Sequence, residues 1–408
     1  MKKKSGDRAQ ENPRNSGYTR RRFIAAATAA VAGTPALLAA QVPSELGAPM
    51  SPYGERSPYE KSVRVSNAPL KTTGSSLSPL QDLNGTITPS ALHYERHHSG
   101  VPAIDPATHQ LMIHGLVERP LVFTVDDLKR LPSVSRTHFL ECAGNSTGEH
   151  VGQPGKTAQL SAGLVSCSEW TGVALPTLLR EVVVKPNAKW VLAEGADASR
   201  LARSVPLDKA MDDGMVAYSQ NGEAVRPEQG YPLRLILPGW EGNINVKWLH
   251  RLELIDQPAM TRDEAAFYTD LLPSGKARQF GVVMEAKSIV TRPSGGQHLP
   301  APGFYEITGI AWSGRAMVAA VEVSVDGGKT WQKAQLQQPV LKNSLVRFRL
   351  PWNWDGTEAK IGSRCIDASG YTQPTSEELI EVRGPAAYHH HNGIKWWKLS
   401  PAGELTYA

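Results

Sequence analysis

Cys142 follows a short apolar run and precedes small, turn-forming residues in Thr137-His138-Phe139-Leu140-Glu141-Cys142-Ala143-Gly144-Asn145-Ser146. A thiol at such a strand-to-loop junction can point into a cavity and bind a soft metal, although cysteine as a type is more often a small buried hydrophobe. Cys167 and Cys365 carry no ligand spacing and read as buried thiols, with a disulfide between them left open. A second concentration of chemistry lies upstream, in His93-Tyr94-Glu95-Arg96-His97-His98. A His-rich loop could hold zinc, but without a HExxH helix or a CxxC pair zinc is the weaker reading. Near the end, Tyr388-His389-His390-His391-Asn392-Gly393-Ile394-Lys395-Trp396-Trp397 combines imidazoles with aromatics, either to dock a partner or to pack back on the fold.

These residues need elements to hold them. Between about residues 81 and 275, strand-like runs such as Leu111-Met112-Ile113 and Leu233-Arg234-Leu235-Ile236-Leu237 alternate with helix signals. Thr124 and Asp127 are spaced as a capping pair ahead of Leu128, and Pro176 opens the amphipathic set Leu175, Leu178, Leu179 and Val182. After about residue 280 the period becomes two. Val321, Val323 and Val325 alternate with polar residues, Asp326-Gly327-Gly328 makes a hairpin turn before Lys329-Thr330-Trp331, and Val346, Phe348 and Leu350 alternate with Arg347 and Arg349. The expectation is an α+β fold: a mixed domain over residues 81–275, a β-sandwich over 276–385 and a tail over 386–408. Residues 41–80, broken by Pro43, Pro49, Pro52, Pro58, Pro69 and Pro79, read as an extended linker or arm, with order beginning near Leu83.

With 408 residues, more than one core is expected. The net charge of +5 invites a polyanion-binding role, but residues 1–40 alone contribute +6, which leaves the remainder at −1 and removes that support. Those residues have the order of an export leader: basic residues, an Ala-rich apolar run, then a Pro- and Ser-rich segment. Within it Thr19-Arg20-Arg21-Arg22-Phe23-Ile24 resembles a twin-arginine signal, which implies export of a folded, cofactor-loaded protein to the periplasm. Outside the leader no apolar run is long enough to span a bilayer, so no stable membrane span is expected after export.

Glu141-Cys142-Ala143-Gly144-Asn145 resembles the metal-ligating segment of the sulfite oxidase superfamily, in which the cysteine thiolate binds molybdenum beside a pyranopterin dithiolene. The segments Tyr231-Pro232-Leu233-Arg234-Leu235-Ile236-Leu237-Pro238-Gly239-Trp240-Glu241-Gly242 and Val246-Lys247-Trp248-Leu249 resemble the family's pterin-binding stretch. By that resemblance Arg234 and Lys247 hold the cofactor's phosphate, which suits a planar fork and a point charge. Gln229 stands where the family usually has a His, so one cofactor hydrogen bond must differ. Arg96 matches the arginine that faces the substrate anion and His98 a pterin-contacting histidine, while His97 replaces the usual Asn. Tyr268 matches the family's active-site tyrosine by its distance beyond Lys247.

The sandwich half, with its Val325-Asp326-Gly327-Gly328-Lys329-Thr330-Trp331 hairpin, is similar to the family's immunoglobulin-like dimerisation domain, implying a homodimer or heterotetramer. Sulfite-oxidising members carry a second arginine five residues after the ligand cysteine, where this chain has Thr147. Among branches, the leader, Thr147, the Cys167 segment and the His/Trp tail most resemble the molybdenum subunit of sulfane dehydrogenase from the bacterial sulfur-oxidation (Sox) system. That resemblance implies a molybdopterin enzyme oxidising sulfane sulfur on a carrier protein. The chain has no CxxCH haem motif and no cysteine cluster, so electrons would pass to a separate cytochrome c subunit. The alternatives are a dehydrogenase of free sulfite, a protein methionine sulfoxide reductase of the same fold, or a non-enzymatic secreted binding protein.

Overall fold

The computed structural model describes residues 46–66, 73–387 and 389–408. The twin-arginine leader lies outside them. The chain divides at Lys61 into two units, Met1–Lys61 and Ser62–Ala408. In the first, residues 46–61 are exposed and form neither helix nor strand, as their prolines dictate.

In the second unit two sheets carry the N-terminal half. One orders the strands Glu223–Ala224, Met215–Gln220, Val165–Ala174 and Ser133–Glu141, with Arg234–Ile236 also paired to Met215–Gln220. The other orders Leu121–Thr124, Gln110–Gly115, Leu249–Ile255, Trp190–Gly195 and Ala202–Pro206, and its Gln110–Gly115 and Leu249–Ile255 strands run parallel. Short helices fill between them. Val125–Arg130 starts on a complete capping box in which Thr124 and Asp127 satisfy each other's backbone N–H, and acidic and basic residues sit at the ends the dipole favours. Leu175–Val182 has Pro176 in its first turn and buries Leu175, Leu178, Leu179 and Val182, the stripe its spacing predicts.

The C-terminal half is a sandwich of a four-stranded sheet (Lys287–Arg292, Gly303–Trp312, Val346–Trp354, Gln335–Leu336) and a five-stranded sheet (Gln332–Lys333, Val318–Ser324, Ala359–Asp367, Trp396–Leu399, Leu405–Tyr407). Val321, Val323, Val346, Phe348 and Leu350 face inward, as alternation requires. The sandwich core also takes in Phe139, Val165 and Cys167, so one apolar cluster runs through both halves.

Two expectations change and one open alternative is decided. Order begins at Val65, not near Leu83: Val65–Ser66 pairs with Gly74–Leu77, which pairs with Glu95–His97. Prolines forbid a helix there, but the intervening backbone is free to join a sheet, and Leu77 and Leu80 are buried. After the Asp326 turn the strand resumes at Gln332, because Asp326 accepts from the N–H and hydroxyl of Thr330 and keeps residues 327–330 in the loop. The tail packs back on the sandwich, supplying two strands of its five-stranded sheet and burying Trp397 completely. All three cysteines are free thiols.

Candidate active site

The strand Ser133–Glu141 ends one residue before Cys142, whose N–H is held by Leu164 O at 3.0 Å and whose carbonyl accepts from Asn145 at 2.9 Å. The thiol opens on a cleft of about 630 Å³ lined also by Tyr94, Arg96, His98, Gln229, Arg234, Lys247 and Tyr268. All seven residues singled out in the sequence therefore meet at one cleft, drawn from segments as far apart as residues 96 and 268. Thr147 does not line it; its hydroxyl donates to Gly144 O at 2.7 Å. Among the described residues no group of three or more His, Cys, Asp or Glu side chains is arranged for a metal ion.

The far wall is cationic. Arg234 is 4% exposed, and its Nη1 donates to the carbonyl and to Oε1 of Gln229, both at 3.0 Å. Gln229 in turn donates from Nε2 to Tyr94 O at 2.8 Å, so it occupies its position as a strut between the two walls. Lys247 donates to the carbonyls of Arg96 at 3.0 Å and Glu228 at 3.1 Å and lies 2.8 Å from His97 Nδ1. Gly230, at φ 112°, leaves room behind it, since a Cβ there would lie 3.0 Å from Lys247 Cα. Neither cation has a carboxylate within ion-pair distance among the described residues, and the strand geometry joins them by an isolated bridge. Burial lowers Arg234 to about 10; burial and the Arg234 charge hold Lys247 well below the ordinary lysine value. Arg234 Nε, Asp197 Oδ1 and both amide atoms of Asn243 are buried without partners.

Buried cations and orphaned polar atoms around a cleft fit an anionic, hydrogen-bonding group such as a pterin phosphate. The thiol is of the type that suits a soft metal, and burial pushes Cys142 up, against the Gly144 N–H and the Arg96 charge.

At the mouth, Tyr268 follows the short π-helical turn Asp263–Phe267 and its hydroxyl lies 3.3 Å from His98 Nε2. Burial and nearby Arg96 lower His98, leaving it neutral near pH 7, while burial and Cys142 raise Tyr268. Arg96 has no carboxylate partner among the described residues and remains free to meet an anion. Sequence reasoning missed Asp197, Asn243 and Asn245. The two asparagines lie between Arg234 and Lys247, a signal that could have been used, whereas Asp197 stands in no motif.

Residues 98–262 match the oxidoreductase molybdopterin binding domain, and residues 278–395 the Mo-co oxidoreductase dimerisation domain. The chain is 31% identical over 330 residues to a nitrate reductase of Ulva prolifera, covering 71% of this chain and 38% of that protein. It is 30% identical over 334 residues to the mitochondrial sulfite oxidase of Drosophila melanogaster, covering 74% of this chain and 58% of that protein. It thus spans less than two thirds of the length of these curated relatives. The crystal structure of the sulfane dehydrogenase SoxCD from Paracoccus pantotrophus superposes with a TM-score of 0.88 at 42% identity, covering 92% of this chain and 99% of that one. The fold, the domain order and the cleft agree with these likenesses: the chain belongs to the sulfite oxidase family of molybdopterin oxidoreductases, whose cofactor is molybdenum bound to molybdopterin.

Proposed function

We propose that the protein is a periplasmic molybdenum-dependent dehydrogenase that oxidises sulfane sulfur held on a carrier protein and passes the electrons to a c-type cytochrome subunit. The observation that carries this reading is the 42% identity to a sulfane dehydrogenase over 92% of the chain. The cleft supports it, because Arg96 lines it while Thr147 turns its hydroxyl to Gly144, so position 147 supplies no second cation of the kind a free dianion would favour.

When bound, molybdopterin supplies two-electron oxygen-atom transfer chemistry. The residues of this chain do the rest. Cys142 binds the metal, and Arg234, Lys247, Gln229 and His98 hold the pterin. Arg96 orients the polar substrate and stabilises developing negative charge, with the Tyr268 hydroxyl beside it. The oxygen comes from water, two electrons leave to the cytochrome, and the protons of that water leave to solvent. The leader in residues 1–40 supports export with the cofactor in place.

The test is a kinetic comparison of the purified holoenzyme, with and without a haem subunit, on sulfite, thiosulfate and carrier-bound sulfane sulfur. Turnover of the carrier-bound form that requires the haem subunit is expected. Preference for free sulfite would return the protein to the sulfite-oxidising branch.

A further inference from the structure

Tyr268 is backed by a second layer that comes from the C-terminal tail. His390 Nε2 lies 2.8 Å from Glu241 Oε2, and the other oxygen of Glu241 accepts from Arg203 Nη2 at 2.9 Å. The Arg203 guanidinium stands 4.8 Å from the Tyr268 ring centroid. His389 Nδ1 lies 2.8 Å from Asp270 Oδ1, and its ring is 5.6 Å from that of Tyr268. The same turn of tail is tied to the ligand loop, since the His390 N–H donates to Ala143 O at 2.8 Å, one residue beyond Cys142, and the His390 carbonyl accepts from Arg383 Nη1 at 2.9 Å. Glu241, Asp270, His389, His390 and Arg203 are all buried.

Glu241, Asp270, His389 and His390 line a narrow crevice with Tyr268, which also lines the cleft. The tyrosine ring therefore takes its position from the cleft on one side and from Arg203 and His389 beside it. Arg203 is 1% exposed and its Nε and Nη1 make no hydrogen bond among the described residues; Glu241 accepts from its Nη2 at 2.9 Å, and Glu264 lies farther off, 3.9 Å from Nε. Burial alone would raise Glu241, but His390 and Arg203 outweigh it and hold it at about 2, which keeps the bridge charged.

We infer that His390, acting through Glu241 and Arg203, is a positioning residue that fixes the Tyr268 hydroxyl against His98 at the mouth of the cleft, with His389 bracing the same ring. The tail is thereby part of the site, although it belongs to the sandwich by its strands. The physical logic is that of outer partners elsewhere: a group that orients a reacting side chain lowers the barrier without touching substrate.

The inference rests on the proposed role of Tyr268, so the experiment separates the two. His390→Asn is too short to reach Glu241, whereas His390→Gln can still donate to it. The Asn variant of the holoenzyme should lose kcat about tenfold with KM little changed, and the Gln variant should recover most of it. In the Asn variant's crystal structure the Tyr268–His98 contact should be broken. In a Tyr268→Phe background, His390→Asn should cost nothing further. Full activity in Tyr268→Phe alone would remove the role assigned to Tyr268. The positioning role would be overturned by an Asn variant with wild-type kcat, by an equal further loss in the Tyr268→Phe background, or by activity that falls only in proportion to molybdenum content.

Discussion

Arg234 and Lys247 are joined across an isolated antiparallel bridge, two cations on neighbouring segments, and among the described residues neither has a carboxylate within ion-pair distance. Like charges so placed repel, and both sit where water cannot screen them well, so the pair suits an anion that both can reach.

Replacing either with glutamine should therefore weaken cofactor retention more than stability. Arg234→Gln and Lys247→Gln are each expected to lower pterin and molybdenum content on the order of tenfold, the double variant more, with a melting temperature at or above wild type for the cofactor-free protein. Metal and pterin analysis beside thermal unfolding reads both effects.

Cys142→Ser should abolish molybdenum binding while leaving the fold. The side chain is only partly buried and its backbone bonds to Leu164 and Asn145 do not involve sulfur, so a change in stability of roughly 1 kcal/mol or less is expected. Undiminished molybdenum in this variant would move the metal site elsewhere.

The sandwich also grips the ligand segment. Lys287 Nζ lies 2.8 Å from Glu141 Oε1 and 3.0 Å from Ser146 Oγ, and Trp312 Nε1 donates to Glu141 Oε2 at 2.6 Å. Lys287→Met leaves a buried carboxylate without its cation, and a loss of about 3 kcal/mol is expected in denaturant titration. Adding Glu141→Gln should restore part of it, because the charge then disappears with its partner.

Acid should destabilise the fold through its buried histidines, His391 of the tail among them. Burial, with the Lys395 charge and against the pull of Glu149, lowers His391 from 6.5 to about 4. Burial likewise lowers His138 to about 4 and His93 to about 3. A group whose folded value is depressed contributes stability that is complete above its unfolded value, here about pH 6.5, and that is lost as pH falls toward the folded value. Glu149, held at about 2 by Lys395 and His391 although burial opposes them, extends the loss below pH 4.5. His391→Gln should thus lose less stability between pH 6.5 and 4 than wild type, by on the order of 1–3 kcal/mol. Melting temperature against pH for the two proteins measures it; identical slopes would count against the assignment.

Much of this was legible in the sequence because it is local. The Thr124–Asp127 box, the Leu175–Val182 stripe, the alternation of Val346–Trp354 and the placement of Cys142 at a strand end depend on neighbours a few residues away, and local sterics and hydrogen bonding decide them. The seven cleft residues could be named because their segments resemble those of a known family, not because local physics picks them out.

Only the tertiary structure decided which side chains meet. His98 reaches Tyr268 across a separation of 170 residues, Glu141 reaches Lys287 across 146, and His390 reaches Glu241 across 149. No periodicity encodes such pairs; they follow from strand register and from how two sheets and a sandwich stack over a shared core. That is why Cys142 could be proposed as a ligand once its segment was seen to resemble a known one, while the tail histidines came into the proposed site only once the chain was folded.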